Sequence, residues 1–175
     1  MTGIQHELNP VDRITTGAIG IPGKRVFYLQ ARMGDQLVTL IVEKQQIQSL
    51  AIGLEEFLDE LHKRLPDLPE SSREYIEEEM ALEDPIDPAF RVSQIGLGYD
   101  EASDMLILVA RETQPLDENL EDVSIARFWC SRSSLRRMCS LGLALSTRGR
   151  LICGNCGEPI DPQGHFCPKK NGHKR

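Results

Sequence analysis

Hydrophobic and polar positions change period in a repeating order along this chain. Residues 13–20 (RITTGAIG) mix Thr and Ile as a strand does. IPGK follows as a turn, with Pro22 fixing its own φ and Gly23 tolerating a positive one. In RVFYLQAR, Phe27, Leu29 and Ala31 alternate with Tyr28, Gln30 and Arg32, the pattern of a half-buried strand. MGDQ turns the chain again, and LVTLIVEK reads as a third, largely apolar strand. The spacing then lengthens. Ile47, Leu50, Ala51, Leu54, Phe57, Leu58 and Leu61 form one stripe of a helix over about 44–64. LPDLP ends that helix, because proline cannot continue its hydrogen-bond ladder.

Residues 65–89 have a different composition, with Glu70, Glu74, Glu77, Glu78, Glu79, Glu83, Asp84 and Asp87 between prolines. Ser71 and Glu74 fit a capping box and predict a short helix over about 72–82. EDPIDP then forces an irregular stretch. A solvated face is the simplest role for these acids. After the linker the first pattern returns. FRVSQIGLGYD, DMLILVARE and VSIARFWCS read as three strands, and Leu135, Met138, Cys139 and Leu145 mark a helix over about 131–147.

The two halves also match residue by residue. LQAR at 29–32 corresponds to LVAR at 108–111, and IG at 19–20 to IG at 95–96. Further on, Leu40/Phe128, Val42/Cys130, Ile47/Leu135 and Leu50/Met138 fall in register. A longer acidic hairpin, TQPLDENLEDVS, absorbs the change in offset. The expected fold is α+β: two strand-strand-strand-helix repeats packed as a pseudo-dimer, antiparallel sheets plus helices, with a zinc-ribbon-like tail. The body spans 1–148, with repeat 1 at about 11–64, the acidic linker at 65–89 and repeat 2 at about 90–147. The tail is 149–175.

Composition adds limits rather than a function. The chain has 175 residues, 40% hydrophobic and 27% charged, with a formal charge of −7. That charge disfavours non-specific binding to phosphate backbones or anionic membranes. The basic residues that do occur gather late, from Arg127, Arg132, Arg136 and Arg137 to Lys174 and Arg175. The start, MTGIQHELNP, has neither a basic run nor an apolar one, and a cytoplasmic location is the expectation.

In such a compartment thiols stay reduced, so clustered Cys and His point to a metal. The cluster is CGNCGEPIDPQGHFCPKKNGH, residues 153–173. Cys153 and Cys156 form CxxC followed by Gly157, as in a zinc knuckle. Cys167-Pro168 opens a second knuckle, but Lys170 stands where its partner cysteine would be. The fourth ligand must therefore be a histidine. His165, two residues before Cys167, shares its face in an extended segment. His173 is the alternate, close to the chain end. Three thiolates and one imidazole close a tetrahedral site, which makes the zinc structural. Cys130 and Cys139 sit on apolar faces and read as core residues.

No nucleotide-binding, hydrolase-elbow or zincin motif is present. His6 falls in a terminus expected to be loose, and His62 at the end of the first helix. The doubled body, with ARFWCS and the tail's CxxCG, DPQGH and CP…NG, resembles a bacterial family known as domain of unknown function 3090, sometimes described as a repeat protein. The resemblance covers nearly the full chain. It implies a small cytoplasmic bacterial protein with no assigned activity, and it favours His165, since tails of the family vary more at the position of His173. A second comparison is weaker. RVFYLQAR…LVTLIVEK…LEEFLDEL looks like the strand–helix repeats of the Pur-alpha and Whirly type, which bind single strands by stacking bases on aromatics. Aromatics here are 5% of residues, and Tyr28 and Trp129 are the candidates for such a face. The leading reading is a non-enzymatic binding or adaptor module with a structural zinc and a protein partner. Single-stranded nucleic-acid binding is the alternative, and an enzyme using carboxylates or arginines of the body is the second.

Overall fold

The computed structural model describes residues 3–21, 23–113 and 123–147, with the backbone of 151–152 and 159–160. In chain order these are β1 (Gln5–Leu8), β2 (Arg13–Ile19), β3 (Val26–Met33), β4 (Gln36–Val42) and α1 (Lys44–Arg64). A 3-10 turn at Glu77–Met80 precedes β5 (Pro88–Asp100), β6 (Met105–Glu112), β7 (Ile125–Cys130) and α2 (Arg132–Thr147). Two short strands, β8 (Leu151–Ile152) and β9 (Pro159–Ile160), follow. The architecture is α+β.

Each trio of strands is an antiparallel meander, as alternation and turn residues predict. Gly34, at φ 59, lets β3 turn directly into β4, with Met33 opposite Gln36. The expectation of purely antiparallel sheets does not hold. All seven main strands make one mixed sheet in the order β1-β7-β6-β5-β4-β3-β2. Its two parallel joins set Leu40 opposite Phe90 and Leu8 opposite Phe128. A parallel neighbour needs a long crossover, which α1 and the linker supply between β4 and β5.

The outermost strands in this order, β1 and β2, are consecutive in the chain. The sheet therefore curls until its ends meet. Val11 N–H donates to Trp129 O on β7 at 2.9 Å, and Asp12 N–H to Arg32 O on β3 at 2.7 Å. β1 was not foreseen. Its sequence, QHEL, has one fully buried residue, Leu8, and its pairing partner lies at the far end of the chain. The Ile-Gly match is also corrected by register. Ile95 lies opposite Ala110, whereas Ala31, the residue matching Ala110, lies opposite Ile14 rather than Ile19.

One face of the curved sheet and both helices share a single core. Leu29, Leu40, Leu106, Leu108 and Phe128 are fully buried in it, joined by Ile47 and Leu54 of α1 and Leu135 and Met138 of α2. The helices also pack on each other. A Cβ at Gly142 of α2 would collide with Ile47 of α1 and lie 3.4 Å from Thr16 of β2. Glu43 caps α1, its N–H donating to Gln46 Oε1 at 2.7 Å.

The linker contains no α-helix. Apart from a turn at 66–68 and the 3-10 turn it forms no regular element before β5, because its backbone groups have partners that a helix would take away. Arg132, Arg136 and Arg137 of α2 donate to the carbonyls of Pro69, Ser71 and Glu74 at 2.7, 2.7 and 2.9 Å. Arg13 donates to the carbonyls of Glu79 and Ala81. Gln30, buried on the outer face of β3, clamps Glu83: its Nε2 donates to Glu83 O at 3.0 Å and its Oε1 accepts from Glu83 N–H at 2.7 Å. Leu82 rests on Gly17, where a Cβ would stand 2.6 Å from Leu82 Cγ. The acidic segment is thus a strap along α2 and over β2 and β3.

Candidate functional site

The candidate metal ligands Cys153, Cys156, His165 and Cys167, and the alternate His173, lie outside the described residues. The backbone around the first two is informative. β8 and β9 pair antiparallel, with Leu151 opposite Ile160 and Ile152 opposite Pro159. That pairing draws together the two ends of the stretch carrying the CxxC. Among the described residues, no group of three or more His, Cys, Asp or Glu side chains is placed to hold a metal.

Cys130 and Cys139 are buried core residues, at 0% and 3% exposure, as their faces predicted. Burial pushes both thiols up to about 12, which keeps them neutral and poor nucleophiles. His6 is not loose. It sits in β1 opposite Ala126, its ring 6.1 Å from that of Phe90, and burial holds its pKa below the ordinary value.

The basic residues of α2 are held internally. Arg132 grips Asp104 through two bonds of 2.9 and 3.1 Å, and Tyr99 OH donates to the same carboxylate at 2.7 Å. The guanidinium holds Asp104 below the usual carboxylate range, while burial and then Asp104 push Tyr99 up to about 12. Arg136 holds Glu55 of α1 in the same two-pronged way, at 2.9 and 2.7 Å, and lowers its pKa. Arg127 on β7 bonds Gln5 and Glu7 of β1. Arg137 bonds the Glu74 carbonyl and has no carboxylate partner among the described residues.

The strap frames an open cleft of about 1160 Å³ against α2 and the start of β2. Arg13, Arg32, Arg73 and Arg137 line it. Glu83 pairs with Arg13 and Arg32 at 3.1 Å each, and Glu55 approaches Arg73 at 3.8 Å. No local pattern announces this cleft, because its walls come from distant segments brought together by the strap. Tyr28 and Trp129 both sit on the outer sheet face, half-buried, as alternation placed them. They do not form one platform: Tyr28 lies between Gly17 and Ile41, and Trp129 opposite Ile107.

Against this geometry, the comparisons with known proteins say little about chemistry. A protein-family profile described as "Protein of unknown function (DUF3090)" matches residues 6–167. The chain belongs to this family. The match takes in both sheet halves, the strap and the tail as far as Cys167, and stops short of His173. No curated protein and no solved structure matches the chain. No helix among the described residues is long and apolar enough to cross a membrane.

Proposed function

We propose that this DUF3090 chain is a non-enzymatic binding or adaptor protein whose duplicated α+β body carries a structural zinc in its C-terminal segment. The carrying observation is the CxxCG…HxCP pattern inside the family match, with its CxxC bracketed by the paired strands β8 and β9. Cys153, Cys156, Cys167 and His165 hold the metal in a closed tetrahedral set. A closed set leaves zinc no position for substrate, so the metal shapes a surface for a protein partner in the cytoplasm.

The duplication is supported by matched registers. Leu29 faces Leu40 in the first half, and Leu108 faces Phe128 in the second. Gly17 faces Tyr28 as Gly98 faces Ile107. Each third strand, β4 or β7, runs parallel to the start of the other half. Such a relation is what a pseudo-two-fold between the halves would produce. The counterpart of Leu8 is then Phe90.

Elemental analysis of protein purified without added metal tests the zinc, with about one zinc per chain expected. His165→Ala loses it and His173→Ala keeps most of it. A metal-free native protein sinks the site, and the opposite mutant pattern reassigns the fourth ligand to His173.

A further inference from the structure

The two halves differ in how the groove between helix and sheet is closed. In the first, the groove between α2 and β2 is filled: Ile14 and Thr16 are 4% and 1% exposed, Gly142 packs tightly, and the strap covers the outer side. In the second, the matching groove between α1 and β5 is open. It measures about 580 Å³, and no charged residue lines it among those described. By register Ile95 and Leu97 correspond to Ile14 and Thr16, because they face Ala110 and Leu108 as the latter pair face Ala31 and Leu29. Yet Ile95 and Leu97 are half-exposed. A Cβ on Gly53, in the α1 wall, would meet nothing within 4 Å.

The floor of this groove is a bare strand edge. β5 pairs with β4 only as far as Arg91, and from there to Asp100 it pairs, among the described residues, with β6 alone. Gln46 Nε2 reaches Val92 O and Ser93 O at 3.0 and 3.3 Å; past Ser93, Gln94 to Tyr99 carries no charge. Native sheets protect free edges with charge, proline or a covering segment. Here the covering segment is missing among the described residues.

The chain itself supplies one of the right position. The strap leaves α1 at Arg64 and is caught by the first turns of α2, through Arg132, Ser133, Arg136 and Arg137. The Ile47/Leu135 match makes Lys44, Gln45, Gln48 and Ser49 their counterparts on α1. α2 ends at Thr147 beside these residues, Gln48 Nε2 donating to Ser146 Oγ at 3.2 Å. The chain that follows, residues 148–175, leaves α2 beside Gln48, whose neighbour Ser49 lines the open groove. From Gln46 to Phe57 the groove is about 16 Å long at ~1.5 Å per helical residue. Extended chain at ~3.3 Å per residue covers that with roughly five residues. In sequence this segment carries the apolar residues Leu151, Ile152, Ile160 and Phe166.

We infer that the C-terminal segment docks in the α1/β5 groove, as the linker docks on α2/β2. The inference rests on reading the two halves as copies. It gives the zinc segment a fixed seat on the body, so a partner would meet both as one surface.

Full-length, metal-loaded chain tests it by amide hydrogen exchange, native trypsin digestion and sedimentation, wild type against Gly53→Leu. A Cβ at Gly53 has open space around it, so the leucine enters the groove without a clash at its root, and Ser49→Phe gives a second, independent filling. In wild type the β5 amides facing away from β6 exchange within about tenfold of those on β2, and Arg148 and Arg150 are cut slowly. Both fillings speed exchange and cutting by at least about tenfold while zinc per chain and Tm hold. Fast β5 exchange beside slow β2 exchange overturns the docking and leaves the copies standing. Fast exchange in both strands overturns the strap equivalence itself. A wild-type dimer that either filling makes monomeric assigns the groove to a second copy of the chain instead.

Discussion

Gln30→Met separates backbone clamping from charge pairing in the strap. The wild-type amide donates to Glu83 O and Thr39 Oγ1 at 3.0 Å each and accepts from Glu83 N–H at 2.7 Å, while 1% of Gln30 is exposed. Methionine keeps the length and volume, so packing changes by less than ~1.5 kcal/mol. The three polar partners are left behind, at about 1–3 kcal/mol for each group that stays buried without a bond. Glu83 is half-exposed, so water recovers part of this, and about 3 kcal/mol is the net expectation. Glu83→Ala makes the contrast. It removes the carboxylate that pairs with Arg13 and Arg32, but those pairs are 22–35% exposed on both sides and together contribute about 1 kcal/mol. Urea unfolding with linear extrapolation measures both variants, and Gln30→Met should also lower Tm by roughly 6–12 °C. Equal losses in the two variants, or a Gln30→Met loss below ~0.5 kcal/mol, refute the idea that the strap is held by its backbone.

Glu55 and Asp104 titrate below their ordinary values because Arg136 and Arg132 favour the carboxylates. A lowered folded pKa stabilises above the ordinary carboxylate range near ~4 and is lost as pH falls through the folded values. Glu55→Gln or Asp104→Asn should therefore lower stability at pH ~7 by up to about 1 kcal/mol, since both carboxylates are partly screened by solvent, and flatten the acid limb of a pH-stability curve. A wild-type limb unchanged in both variants counts against these pairs. Iodoacetamide at pH ~8 should label the three tail cysteines once zinc is chelated, while Cys130 and Cys139, with thiols near 12, wait for denaturant. Mass spectrometry showing all five cysteines modified in folded protein contradicts that burial.

The legible parts of this fold are those written in local periodicity. The stripe from Ile47 to Leu61 set α1, and the alternation around Phe27 and Leu29 set β3, because burial on one face selects every fourth or every second residue. The matched positions Leu40/Phe128 and Ile47/Leu135 are all buried, as a shared core requires. What stayed hidden depends on partners far along the chain. β1 pairs with β7 across the whole body, and nothing within QHEL announces it. The parallel joins are equally silent, since strand direction is fixed by where a crossover returns. Of the candidate site, the proposed ligand set rests on spacing alone and lies outside the described residues, since zinc constrains residue type and interval directly. The arginine cleft was not readable, because four separate segments make it.

The linker is the instructive failure. The Ser71/Glu74 capping box predicted a helix over about 72–82, yet the strap binds mainly through carbonyls, which every sequence has and no composition reveals. Pro69, Ser71, Glu74, Glu79 and Ala81 each accept from an arginine through the main chain. The same fact changes the meaning of the basic cluster on α2. In sequence, Arg132, Arg136 and Arg137 look like a free cationic face; in the fold they staple the strap, Asp104 and Glu55. A phosphate backbone seeking this surface must displace two bidentate carboxylates already in place, on a chain of net charge −7. The arginines are arranged to hold the chain's own acidic segment, and that arrangement favours a body that presents a seated segment to a protein over one that presents charge to a nucleic acid.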